Sequence, residues 1–117
     1  MREIKFRGIT DSDELVYPDD RAFGGLKSFD ILQRFSKIEQ YTGLKDENGV
    51  DIYEGDIVKF DDITTIYPDV LKDVKCEVFW WEEFAKFDIM NTHHEFNFLT
   101  VGKMKIIGNI HQNKELI

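Results

Sequence analysis

A single cysteine, Cys76, stands among 117 residues. No disulfide can form within such a chain, and a lone thiol fits a reducing compartment. Long apolar runs are also missing: residues 78–81 form a stretch of only four, against the roughly 20 that a membrane-spanning helix requires. The opening Met1-Arg2-Glu3-Ile4-Lys5 lacks the apolar centre of a signal peptide, so a cytoplasmic location is expected and no membrane partner. Bases are in deficit, 15 Lys and Arg against 23 Asp and Glu, for a net charge of −8. A surface of that sign repels a phosphate backbone at long range, which disfavours generic nucleic-acid binding. Catalytic signatures are absent as well. There is no glycine-rich phosphate loop, no serine flanked by glycines, and no Cys-x-x-Cys or His-x-x-x-His spacing.

What is present is apolar area. Hydrophobic residues make up 42%, including ten Phe, four Tyr and two Trp, enough to drive collapse of one domain. Residues 2–9 read as a strand with Ile4 and Phe6 on one face, and with Arg2, Lys5 and Arg7 as a solvated charged face. Residues 11–20 carry five acids and no base, a loop that Gly24-Gly25 punctuates again. Ser28, Phe29, Leu32 and Phe35 suit a short helix or turn. From residue 37 the alternation sharpens. A strand over 37–44 leads into Lys45-Asp46-Glu47-Asn48-Gly49, whose Asn-Gly pair tolerates the positive φ of a tight hairpin. Gly55 marks a turn or bulge, Asp56 has loop N–H groups within reach, and a strand follows to Phe60.

Residues 61–73, with Pro68, read as an excursion. Val74, Cys76, Val78 and Trp80 then alternate with Lys75, Glu77, Phe79 and Trp81, giving a strand with one plainly apolar face. Strands over 84–90, 96–101 and 103–110 follow, the last two joined at Gly102, and the tail from His111 makes one helical turn. Many short strands with glycine-marked turns predict a mainly β fold. The expected form is a small SH3-like barrel, or a related barrel or sandwich, over residues 41–117, with a β-containing segment 1–40 packed against it as one compact unit.

Three stretches carry a family resemblance. Gln40-Tyr41-Thr42-Gly43-Leu44-Lys45-Asp46-Glu47-Asn48-Gly49, continuing through Ile52-Tyr53-Glu54-Gly55-Asp56-Ile57-Val58, resembles the signature of the YopX family. Met1-Arg2-Glu3-Ile4-Lys5-Phe6-Arg7 is similar to that family's opening, and Ile107-Gly108-Asn109-Ile110-His111-Gln112-Asn113-Lys114-Glu115-Leu116 to its close. Gly8 and Ile9 depart from the usual opening, where an aromatic tends to follow the first basic residues. The resemblance implies a β-rich fold and a phage or prophage origin. It implies no activity, so no catalytic residue is transferred.

The remaining chemistry is weighed residue by residue. Asp46, Asn48, Asp51, Glu54 and Asp56 crowd one segment, but Val50 stands where a calcium loop needs its fifth ligand and the glycine comes too early. Turn chemistry is the expected role of these groups. His93 and His94 are adjacent, so on a strand they face opposite ways and rarely share a metal ion; His111 is the third histidine. Cys76 on the apolar face is expected to be buried and inert. Glu82-Glu83 reads as a solvated turn rather than an acid–base pair. No catalytic, cofactor-binding or metal residue is therefore assigned, and no cofactor is expected.

The alternation that turns Trp80 inward turns Phe79 and Trp81 outward, with Phe84 beside them. These three are either covered by another layer of the domain or form a protein-contact surface, self-association included. A non-enzymatic protein acting through protein contacts is the leading expectation. A nucleic-acid-binding module, an acidic DNA mimic and an enzyme of unknown reaction stay open.

Overall fold

The computed structural model describes residues 4–17, 35–62, 71–91, 95–96 and 103–117. Nine strands fall into two antiparallel sheets among these residues. The first contains β1 (Phe6–Ile9), β2 (Leu15–Val16), β3 (Lys37–Lys45) and β4 (Asp51–Tyr53), in the order β2-β1-β3-β4. The second contains β5 (Asp56–Asp62), β6 (Leu71–Trp81), β7 (Lys86–Met90), β8 (Glu95–Phe96) and β9 (Lys105–Asn109), in the order β8-β7-β6-β5-β9. The mainly β expectation holds. The division expected at residue 40 falls inside β3, whose first half pairs with β1 and whose second half pairs with β4. Short 3₁₀ turns at Glu82–Phe84 and Lys114–Leu116 complete the described elements.

Turn chemistry sets the sheets' registers. Between β3 and β4, Asp46 Oδ1 accepts the N–H groups of Asn48 and Val50 at 2.9 Å, while Gly49 takes φ of 80°. The same carboxylate reaches the second sheet through Oδ2, which accepts Ile106 N–H at 3.2 Å. Burial is the largest influence on this carboxyl and opposes its ionisation, yet the N–H groups of Val50, Ile106 and Asn48 together hold it below the usual carboxylate range. The expected turn role of Asp56 is also seen, since its Oδ2 accepts Tyr53 N–H at 2.8 Å.

The core lies on one face of the second sheet, where Ile106, Val58 and Cys76 meet across three strands and Val78 meets Ile89. Ile52, Phe60 and Met104 close over them. Each fully buried aliphatic side chain contributes about 1.5–3 kcal/mol relative to exposure. The alternation read along β6 is correct for Cys76 and Val78, and Val74 packs at the core's margin. Trp80 departs from it, being 42% exposed. The β5–β6 ladder ends at Ile57 and Glu77, whereas β6 and β7 stay paired to Trp81 and Lys86. The hairpin therefore runs on past β5, and Trp80 lies on the core side of a section with no core above it, stacked edge-on with Phe87.

Several expectations lie outside the described residues: Arg2, the Gly24-Gly25 punctuation, the helix or turn from Ser28, Pro68, His93, His94, the strand beyond Phe96 and the turn at Gly102. No helix among the described residues is long and apolar enough to cross a membrane.

Asp46 supplies the test of the turn. Asp46→Ala should lower unfolding free energy at pH 7 by about 1–3 kcal/mol, the cost of leaving three part-buried N–H groups without their charged acceptor. Because the folded carboxyl titrates below its unfolded value of about 3.9, its ionised form stabilises the fold above that pH. The advantage of wild type over Asp46→Asn should shrink as pH falls through this range in urea titrations.

Candidate functional site

The largest departure from the sequence reading sits at Arg7. Expected on a solvated face, it is 1% exposed, while Ile4 and Phe6 are 69% and 43% exposed. The reason is placement: β1 lies between β2 and β3, and Arg7 points into the junction of the two sheets, where partners from distant segments wait. Its Nε donates to Glu39 Oε1 at 2.8 Å, and Nη2 lies 2.8 Å from the same oxygen. Nη1 donates to Asp56 Oδ1 at 2.7 Å and to the Tyr17 hydroxyl at 3.3 Å, while Nη2 also donates to the Glu54 carbonyl at 3.1 Å. The guanidinium carbon lies 5.1 Å from the Tyr53 ring centroid and 5.9 Å from that of Tyr17. A rigid planar cation with five donors is the side chain suited to such a site.

Its partners are held as firmly. Glu39, fully buried on β3, takes Arg7 on one oxygen and His111 Nε2 at 2.9 Å on the other, with the Lys37 ammonium at 3.7 Å. Arg7 and Glu39 belong to the first sheet, and Asp56 and His111 to β5 of the second and the turn after β9. Two side-chain contacts, Arg7 to Asp56 and His111 to Glu39, therefore join the sheets. Gly55 permits the approach: at φ of 86°, an added Cβ would come within 2.0 Å of Glu39 Oε2.

Among the described residues no buried side-chain nitrogen or oxygen lacks a partner. Desolvation is the largest influence on Arg7 and lowers its pKa, but the charges of Asp56 and Glu39 outweigh it, so the guanidinium is raised and stays charged. Desolvation dominates at Asp56 and pushes its carboxyl up, only partly offset by Arg7.

Above this cluster opens a cleft of about 270 Å³ lined by Lys5, Tyr17, Val50, Asp51, Tyr53, Asp56 and Ile106. Its charges are paired: Asp51 takes Lys5 at 2.7 Å and also Lys45, and Asp56 takes Arg7. Burial pushes the Tyr53 phenol up to about 12, so it remains protonated. These groups order one another and form no nucleophile–base pair. The five polar residues of the 46–56 segment thus divide into turn, cleft and inter-sheet roles. No group of three or more His, Cys, Asp or Glu side chains among the described residues is arranged to hold a metal ion. Cys76 is fully buried and its thiol is pushed up to about 12 by burial.

The three residues expected to form a contact surface do come together. Trp81 stacks edge-on with Phe84 at 4.5 Å and lies 5.8 Å from Phe79, and the Lys86 ammonium sits 5.6 Å from the Trp81 ring. Phe79 and Trp81 are half-buried and Phe84 is 57% exposed. Glu82 and Glu83 are exposed in the turn between them, as expected.

A two-sheet, all-antiparallel chain joined through a buried arginine is the class of protein that these features define. Its family follows from comparison: the family model described as YopX protein matches residues 4–117, and the chain belongs to the YopX family. Among solved structures it is similar to the protein EF1440 from Enterococcus faecalis, with 25% identity over 99% of each chain and a TM-score of 0.61. No curated protein matches it.

Removing the arginine should expose what it holds. Arg7→Met should cost about 3–5 kcal/mol of stability at pH 7, because it leaves buried carboxylates without their cation. In that variant the Asp56 carboxyl, already raised by burial, loses the charge that restrained it. A folded pKa above the unfolded one means that proton uptake favours folding, so the deficit relative to wild type should narrow as pH is lowered from 7 towards 5. Chemical denaturation across that range measures it.

Proposed function

We propose that this chain is a phage or prophage accessory protein of the cytoplasm that works without catalysis, through protein contacts made by Phe79, Trp81 and Phe84. The observation that supports this reading is the β6–β7 hairpin end, which continues past β5 and carries large aromatics on both faces. Phe79, Trp81 and Phe84 cluster on one face, and Trp80 with Phe87 on the other. A half-buried tryptophan and an exposed phenylalanine grouped around one lysine form the kind of surface on which binding energy concentrates. The stability of the domain asks little of this section, because the core ends at Val78 and Ile89. The origin follows the family, and the cytoplasmic placement follows the single buried thiol. The paired charges of the cleft add support to a non-enzymatic role, since each carboxylate there is engaged by a cation of the same domain.

A photoreactive phenylalanine at position 84 provides the test. In the host cell it should crosslink to one protein, or to a second copy of the chain, and Trp81→Ser should reduce that product at least tenfold while thermal unfolding stays within about 4–8 °C of wild type. A yield no higher than that from the same probe at exposed Glu115 would contradict the proposal.

A further inference from the structure

A row of like charges crosses the second sheet. Lys59 of β5 stands directly opposite Lys75 of β6 on one side and Lys105 of β9 on the other. Directly paired residues share a face, so the three ammonium groups project together from the side opposite the Ile106, Val58 and Cys76 row. Adjacent strands lie about 4.8 Å apart, which places three positive charges along roughly 10 Å. Like charges directly opposite on neighbouring strands destabilise a sheet, and this chain has acids to spare at a net charge of −8. Relief is slight. Lys59 approaches Asp73 at 3.8 Å, but Asp73 is itself 77% exposed. Lys105 has Asp46 within electrostatic reach, but that carboxylate is committed to three backbone N–H groups. Lys103 joins Lys59 and Lys105 around a shallow cleft of about 300 Å³ that also holds Glu47, Asp61 and Asp73.

We infer that the row Lys59, Lys75 and Lys105, with Lys103, is a docking surface for an acidic segment of a protein partner, an inference that rests on the protein-contact reading above. The strand-paired row itself is positive and calls for acidic side chains opposite it, while the acids around it call for those side chains to be spaced, and three features favour a peptide over a phosphate chain. The protein as a whole repels a polyanion. Glu47, Asp61 and Asp73 border the lysines, which suits a segment of mixed side chains but opposes a continuous run of phosphates. Among the described residues the one aromatic ring at this cleft, Phe60, is buried and offers no stacking platform for bases. An extended peptide repeats its side chains on one side about every 6.8 Å, within reach of flexible lysine stems across the row.

The test uses a fluorescein-labelled peptide in which six glutamates alternate with serines, and fluorescence anisotropy with the full chain. Binding should be saturable at low salt and weaken as salt is raised. Replacing the row with Lys59→Gln, Lys75→Gln and Lys105→Gln together should weaken it at least tenfold, while Lys114→Gln leaves it unchanged. The triple variant should also melt at or above the wild-type temperature, by up to about 1–3 °C, because repulsion is relieved. Absence of saturable binding, or equal binding by the triple variant, would overturn the inference. So would tighter binding, through the same lysines, of a labelled single-stranded oligonucleotide of equal charge. Trp81→Ser does not alter the row, so it should bind the peptide as wild type does. Intact peptide binding with no crosslink from position 84 would count against the aromatic surface alone, and the reverse result against the lysine row alone.

Discussion

The contact on which this structure turns is the guanidinium of Arg7 held between Glu39 and Asp56. Each sheet alone has a polar margin at the junction, and burying it without partners would cost several kcal/mol per charge. Arg7 removes that obstacle by spending its donors on Glu39 of β3, Asp56 of β5, the Tyr17 hydroxyl after β2 and the Glu54 carbonyl in the turn after β4. Asp56 is itself tied to the Tyr53 N–H, and Glu39 to His111, so the cation orders both the turn before β5 and the turn after β9. The arrangement fixes one relative position of the sheets. An apolar seam of the same volume could be as stable, but it would tolerate sliding, whereas a planar cation with directional bonds does not.

The proposed contact surfaces sit on that rigid frame. With the junction fixed and the core centred on Val58, Cys76, Val78 and Ile89, the second sheet presents its remaining area to solvent in a defined way. At one end the β6–β7 hairpin leaves the core and carries its aromatics outward. Directly behind the core, between the rungs of Val58 and Phe60, the opposite face carries the row of lysines. Membership of the YopX family and the likeness to EF1440 over nearly the whole of both chains extend this architecture beyond one sequence.

Much of this was legible in the chain and some was not, for definite reasons. The 45–49 turn could be read because Asn48-Gly49 encodes its conformation locally, and β6 because Cys76 and Val78 obey a period of two. Trp80 obeys the same period yet is exposed, because its burial depends on where β5 stops, a tertiary fact absent from its neighbours. Arg7 could not be told from Lys5 by pattern, since its partners lie 32 and 49 residues away. The only advance sign was indirect: Asp56 after Gly55 was readable as a turn acid, but nothing nearby said that its second oxygen would face an arginine. The grouping of Phe79, Trp81 and Phe84 was legible from alternation. Their partial cover was not, because it depends on how the rings stack on one another.

A double-mutant cycle between Arg7 and Asp56 puts the central claim to its most direct test. With Arg7→Met, Asp56→Asn and the pair compared by urea denaturation at pH 7, a coupling of about 1.5–3 kcal/mol is predicted for residues that share one buried contact. Free energies that add to within about 0.5 kcal/mol would mean that the two side chains act independently and that the sheets are held together by something else.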